Sequence, residues 1–154
     1  MAVDEELVRA AIEQMNRRWA TIPDGGAAAL RLADGRILTS VALDNINAGV
    51  TLCHEAGAMC QAYTLDIPVV ASVCVGRESG DRGFVVLAPC GICQERLALW
   101  GPDVEVGVAD RGAANGWSSR TLREVHPNYW VQAITADGTW PSYAEHMDQD
   151  DHGM

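Results

Sequence analysis

Cys53-His54-Glu55 and Pro89-Cys90-Gly91-Ile92-Cys93 are the stretches of this chain whose residue types and spacing could do chemistry. In a Cys-x-x-Cys at the start of a helix the two sulfurs lie one turn apart and can reach a single ion, although such a pair alone serves equally well as a redox dithiol. A third soft donor, Cys53, at the start of a different helix favours zinc, which takes four ligands tetrahedrally. Three protein ligands leave a fourth position for water, the arrangement of a catalytic site and not of a closed structural one. Helix N-termini favour thiolate over thiol, so three anionic sulfurs around one dication become tolerable. Zinc lowers the pKa of a bound water by several units, and a carboxylate beside it can take a proton and return it to a substrate. Glu55, two residues past Cys53 and outside the ligand set, is placed for that exchange.

The elements that must position these motifs can be read from periodicity. Leu7, Ala10, Ala11, Met15 and Trp19 recur at helical spacing over residues 4–20, with acidic residues leading and Arg17-Arg18 trailing to complement the helix dipole. Residues 27–32 read as a strand, 33–36 as a hairpin turn and 37–43 as the returning strand. Residues 44–50 are loop, and Thr51 is the expected N-cap of a helix carrying Cys53, Glu55, Met59, Cys60 and Tyr63. Residues 68–75 are a β-branched run suited to burial on both faces, and 84–88 form the next strand. Pro89 opens a helix that Gly101-Pro102 stops. Residues 104–109 are a strand, 118–125 a short capped helix and 129–134 a final strand. Strands alternating with helices imply a layered α/β domain built on a mainly five-stranded sheet, with both cysteine motifs at helix starts.

The composition narrows the classes of function. A chain of 154 residues, 48% hydrophobic and 21% charged, suits one ordinary globular domain. We expect it over residues 1–135, followed by a polar, acidic tail over 136–154 whose His146 and His152 are solvated and not ligands. The net charge of −10, with eleven scattered arginines and no lysine, argues against a nucleic-acid or anionic-membrane partner. No apolar run approaches the ~20 residues that span a bilayer. The acidic opening lacks the order of a secretory signal, so the expected location is the cytoplasm. Five cysteines, an odd number, suit metal ligation or burial better than a disulfide framework. Cys60, seven residues along the helix from Cys53, is expected to face the core, and Cys74 to lie in a buried strand.

The pairing of Cys53-His54-Glu55 with Pro89-Cys90-Gly91-Ile92-Cys93 resembles the signature of the zinc-dependent cytidine deaminase superfamily, including its small blasticidin S deaminase type. Gly26-Ala27-Ala28-Ala29-Leu30 is similar to the family's first strand, Thr51-Leu52-Cys53 to its Thr-Leu-Cys, and Leu122 to Pro127 to its C-terminal turn, so the likeness covers roughly residues 5–131. The resemblance implies a three-layer α/β domain with a mixed five-stranded sheet and helices on both faces. It implies zinc on Cys53, Cys90 and Cys93, Glu55 as acid/base, and hydrolytic deamination of a cytosine nucleoside or related heterocycle with release of ammonia. By the same resemblance the carbonyl of Ala88 accepts from the substrate amine, and the backbone at His54 holds the pyrimidine carbonyl. A homo-oligomer is implied as well, a tetramer or alternatively a dimer, in which neighbouring subunits complete each site.

Three features depart from that pattern. Ribose-reading members carry Asn-x-Glu about ten residues before the first cysteine ligand, whereas here Ala42 and Asp44 stand there, with Asn45 next. Asp44 and Asn45 are therefore either substrate contacts or loop-capping residues. The family's stacking phenylalanine is absent, and Trp117, Tyr129 and Trp130 either replace it or anchor the C-terminal segment. Gln94 stands where many members place an arginine, a charge Arg96 could supply. These departures leave a nucleoside antibiotic such as blasticidin S, or another amino-substituted heterocycle, as the alternative substrate. Two further alternatives are a noncatalytic zinc-stabilised binding module and His54 as a ligand in place of Cys53.

Overall fold

The computed structural model describes residues 2–79 and 82–141. The first helix, α1 (Glu5–Arg18), starts where Asp4 caps it by accepting from the Leu7 amide at 2.9 Å. Its buried side carries Leu7, Val8, Ala11 and Met15, and Arg17 and Arg18 sit in its last turn. The strands are β1 (Gly26–Leu32), β2 (Ile37–Ser40), β3 (Val69–Arg77), β4 (Phe84–Leu87), β5 (Glu105–Ala109) and β6 (Trp117–Thr121). Between them lie α2 (Ala56–Leu65) and α3 (Gly91–Leu97), and α4 (Leu122–Val125) follows β6.

The order along the sheet is β2-β1-β3-β5-β6, with β4 also on β3. β1 covers one edge of β3 antiparallel, and the other edge is shared: Ala71 and Ser72 pair parallel with β5, while Cys74 to Arg77 pair antiparallel with β4. Alternation along β1 separates two cores. Ala27 and Ala29 face α1 with Leu7, Ala11 and Met15, whereas Ala28, Leu30 and Leu32 face Ala58, Met59, Cys93 and Leu97 of α2 and α3. Helices thus cover both faces of a mixed sheet, the three-layer α/β arrangement.

Several boundaries differ from the sequence reading. Among the described residues the sheet has six strands and not five, because Trp117–Thr121 pairs antiparallel with β5. The capping signals that predicted a helix over 118–125 belong to α4 alone, where Thr121 and Glu124 form a capping box. Residues 129–134 are not a strand; Trp130–Ala133 is a 3₁₀ turn. Trp140, beyond the boundary expected at 135, is 5% exposed and its ring centroid lies 4.5 Å from that of Tyr129. The tail that follows, with His146 and His152, lies outside the described residues.

One buried cation fixes α1 to the sheet. Arg31 of β1 is 4% exposed and donates to Asp4 at 2.7 and 3.0 Å and to Glu6 at 2.8 Å. Asp4→Ala removes both a helix cap and half of that pairing, and should cost about 1–2 kcal/mol in urea unfolding near neutral pH. The hydrogen bonds from Arg31 hold the Asp4 carboxyl below its ordinary 3.8. Its stabilisation is therefore complete above the unfolded pKa and is lost as pH falls through the lower folded value. The gap between wild type and Asp4→Ala should narrow in acid, and a gap independent of pH would contradict the charged pairing.

Candidate active site

The two motifs reach one place by different routes. After β2 the chain makes a short excursion closed by Leu43 and Leu52, whose backbones exchange hydrogen bonds of 3.1 and 3.0 Å. That bridge keeps Leu52 extended, so α2 begins at Ala56, not at Thr51 as predicted, and Cys53 to Glu55 form the approach to the helix. The second motif follows β4, whose Leu87 pairs with Cys74. Cys90 is the N-cap residue of α3, its carbonyl accepts from the Gln94 amide at 2.8 Å, and the Gln94 side chain donates to the Pro89 carbonyl at 2.8 Å. Gln94 therefore braces the turn that presents Cys90.

Cys53, Cys90 and Cys93 place their sulfurs within 4.8 Å of one another, with Cys53 and Cys90 Sγ 3.5 Å apart. Bonds of about 2.3 Å at tetrahedral angles put sulfurs about 3.8 Å apart around zinc, so this donor set fits a soft dication by both chemistry and spacing. Cys93 is buried, Cys53 half-buried and Cys90 exposed. Burial pushes the Cys93 thiol well up, and the nearby Glu55 charge adds to it. Burial also raises Cys53. For Cys90 burial acts upward too, but the backbone N–H groups of Cys93 and Ile92 and the neighbouring thiols outweigh it, and the net shift is down. The backbone N–H groups at the start of α3 thus favour the thiolate of Cys90.

Glu55 is 4% exposed, and its Oε2 accepts from the Cys93 thiol at 3.4 Å. A buried carboxylate at that distance from a candidate ligand can exchange protons with whatever occupies the centre. His54 does not join the sulfur cluster: its Nδ1 accepts from the Ala42 amide at 2.9 Å, and burial lowers its pKa. Its carbonyl accepts from Ser40 Oγ.

The remaining expectations divide. Ala88 lies exposed between β4 and Cys90. Asp44 and Asn45 are exposed in the loop after β2, and the Asn45 side chain accepts from the Asn47 amide at 3.0 Å, a local turn. Cys74 is 5% exposed in β3, as read from the sequence, but Cys60 is exposed and does not face the core. Trp117 packs in the cluster on the α1 side of the sheet, and Tyr129 in the opposite one. Trp130 is 58% exposed and donates to Glu95 at 3.0 Å, while Tyr129 OH donates to the same carboxylate at 3.2 Å. Arg96 keeps one guanidinium nitrogen buried without a hydrogen-bond partner. Sequence reasoning missed Ser40 and Glu95, which no local pattern marks, and the bracing role of Gln94.

Comparison with known proteins places this geometry among related chains. No protein-family model matches. A blasticidin-S deaminase from Bacillus cereus is 28% identical over 113 residues, 71% of this chain and 81% of that protein. A cytidine deaminase from Mycobacterium tuberculosis is 38% identical over 73 residues, 47% of this chain and 50% of that protein. The crystal structure of a cytidine deaminase from Bacillus anthracis superposes with a TM-score of 0.74 at 38% identity, covering 84% of this chain and 91% of that one. That of Mycobacterium leprae shares the fold, with a TM-score of 0.64 at 24% identity.

A titration with zinc should load one equivalent per chain onto the protein. Cys90→Ser should weaken it at least about a hundredfold, and Cys60→Ser, outside the cluster, should leave it unchanged. Equal uptake by all three proteins would show that the metal binds elsewhere.

Proposed function

Because this chain belongs to the cytidine deaminase superfamily, we propose that it hydrolyses the exocyclic amine of a cytosine nucleoside or a close analogue and releases ammonia. The observation that carries this reading is the buried Glu55 carboxylate 3.4 Å from one of three convergent sulfurs. Cys53, Cys90 and Cys93 would hold zinc, which when bound supplies a Lewis acid that makes water nucleophilic near neutral pH. Glu55 takes the proton from the attacking water at its carboxylate, delivers it to the ring nitrogen, and serves again as the amine leaves. One C–O bond forms, the C–N bond breaks, and water supplies every atom added. The backbone at His54 receives the pyrimidine carbonyl and the Ala88 carbonyl the amine.

The surroundings govern which nucleoside enters. Ala42 offers no side-chain polar group where ribose-reading members have asparagine, so Asp44 is the remaining candidate for a sugar hydroxyl. A nucleoside antibiotic of the blasticidin S kind is the second reading, favoured by the same change and by the relative of that name that spans most of this chain. We place the enzyme in the cytoplasm, where free thiols stay reduced, and expect a homotetramer. Exposed Leu43, Ile46, Val50 and Ile92, on the segments that flank the two motifs, support an assembly that covers them.

Glu55→Ala should lower turnover by at least about 10²–10⁴ while zinc stays bound. Turnover equal to wild type would remove Glu55 from the chemistry, and loaded wild type inert toward cytidine, deoxycytidine, cytosine and blasticidin S would indicate a noncatalytic zinc module. Asp44→Ala should raise KM for cytidine about tenfold and leave cytosine unaffected. Equal changes for both substrates would exclude a sugar contact there.

A further inference from the structure

The side chain of His54 has no part in the reaction described above, yet it is tied down more firmly than its exposed neighbours upstream. Its Nδ1 accepts from the Ala42 amide at 2.9 Å, so the neutral ring carries its proton on Nε2. The far edge of the ring rests on Gly26 at the start of β1, where an added Cβ would lie 2.6 Å from Nε2 and 2.9 Å from Cε1. Only glycine leaves room for the imidazole there. The main chain of the same residue is held too: the His54 carbonyl accepts from Ser40 Oγ, which accepts in turn from the Ala58 amide at 3.0 Å. A single residue between ligand Cys53 and Glu55 is thereby bound to the end of β2, the start of β1 and the first turn of α2.

These contacts have a directional consequence. β2 ends at Ser40, and the Ala42 amide, which would otherwise lack a ladder partner, is satisfied by the imidazole. The chain then turns out at Leu43 and Asp44 into the loop that precedes the first motif. Resting on the deaminase reading, we propose that the His54 imidazole is a positioning group for substrate: by accepting from Ala42 while seated on Gly26, it sets the 53–55 backbone and the base of the 44–50 loop in one register.

Asparagine carries an acceptor close to where Nδ1 stands, whereas leucine fills similar space without one. His54→Leu should raise KM for the nucleoside that wild type turns over about tenfold, with kcat and zinc content little changed, and His54→Asn should recover most of that loss. Hydrogen exchange at the Ala42 amide should be slow in wild type and His54→Asn and fast in His54→Leu. The same effect of both variants on KM would assign the ring's volume and not its acceptor, and overturn the proposal, as would an unprotected Ala42 amide in wild type. If wild type turns over no aminopyrimidine nucleoside, the deaminase reading fails and the substrate-positioning role with it, while the exchange pattern still decides whether Nδ1 anchors Ala42.

Discussion

Three sulfurs from two segments 37 residues apart lie within 4.8 Å of one another, and the fold is arranged to make that convergence rigid. Neither segment could hold the geometry alone. Cys90 and Cys93 share one turn of α3, but Cys53 precedes a different helix, so the distance between the helix starts is set by the sheet beneath. β3 is the common reference: β4, which delivers the second motif, pairs with it directly, and β1 on its opposite edge carries Gly26, on which His54 rests.

The same convergence shapes the electrostatics. Burial and the Glu55 charge push Cys93 up, while backbone amides at the start of α3 bring Cys90 down. Burial makes three thiolates beside Glu55 costly unless a cation offsets their charge. The loop over 44–50 is built differently: its residues are exposed and held by local turns at Asn45 and Asn47, between a base tied to His54 and the Leu43–Leu52 bridge.

The convergence of Cys53, Cys90 and Cys93 was legible in the chain because these cysteines and Glu55 form short local patterns, and α1 because Leu7, Ala11 and Met15 repeat at one helical face. The long apolar run of β3 was equally plain. What the sequence did not show came from contacts distant along the chain. The Leu43–Leu52 bridge delays α2, and that delay also breaks the count that put Cys60 on the core side of a helix starting at Thr51. β6 reads Trp-Ser-Ser-Arg-Thr, too polar for a periodicity argument, and is a strand only because β5 offers it an edge. The link from Ser40 to His54 and the fit of the imidazole on Gly26 have no local signature at all.

X-ray absorption at the zinc edge of the loaded protein counts the atoms around the ion and so decides whether the three cysteines form an open site. Three sulfurs at about 2.3 Å and one oxygen at about 2.0 Å are expected, the open site that hydrolysis requires. A first shell of four sulfurs, with Cys74 drawn in from β3, would describe a closed structural site and contradict it.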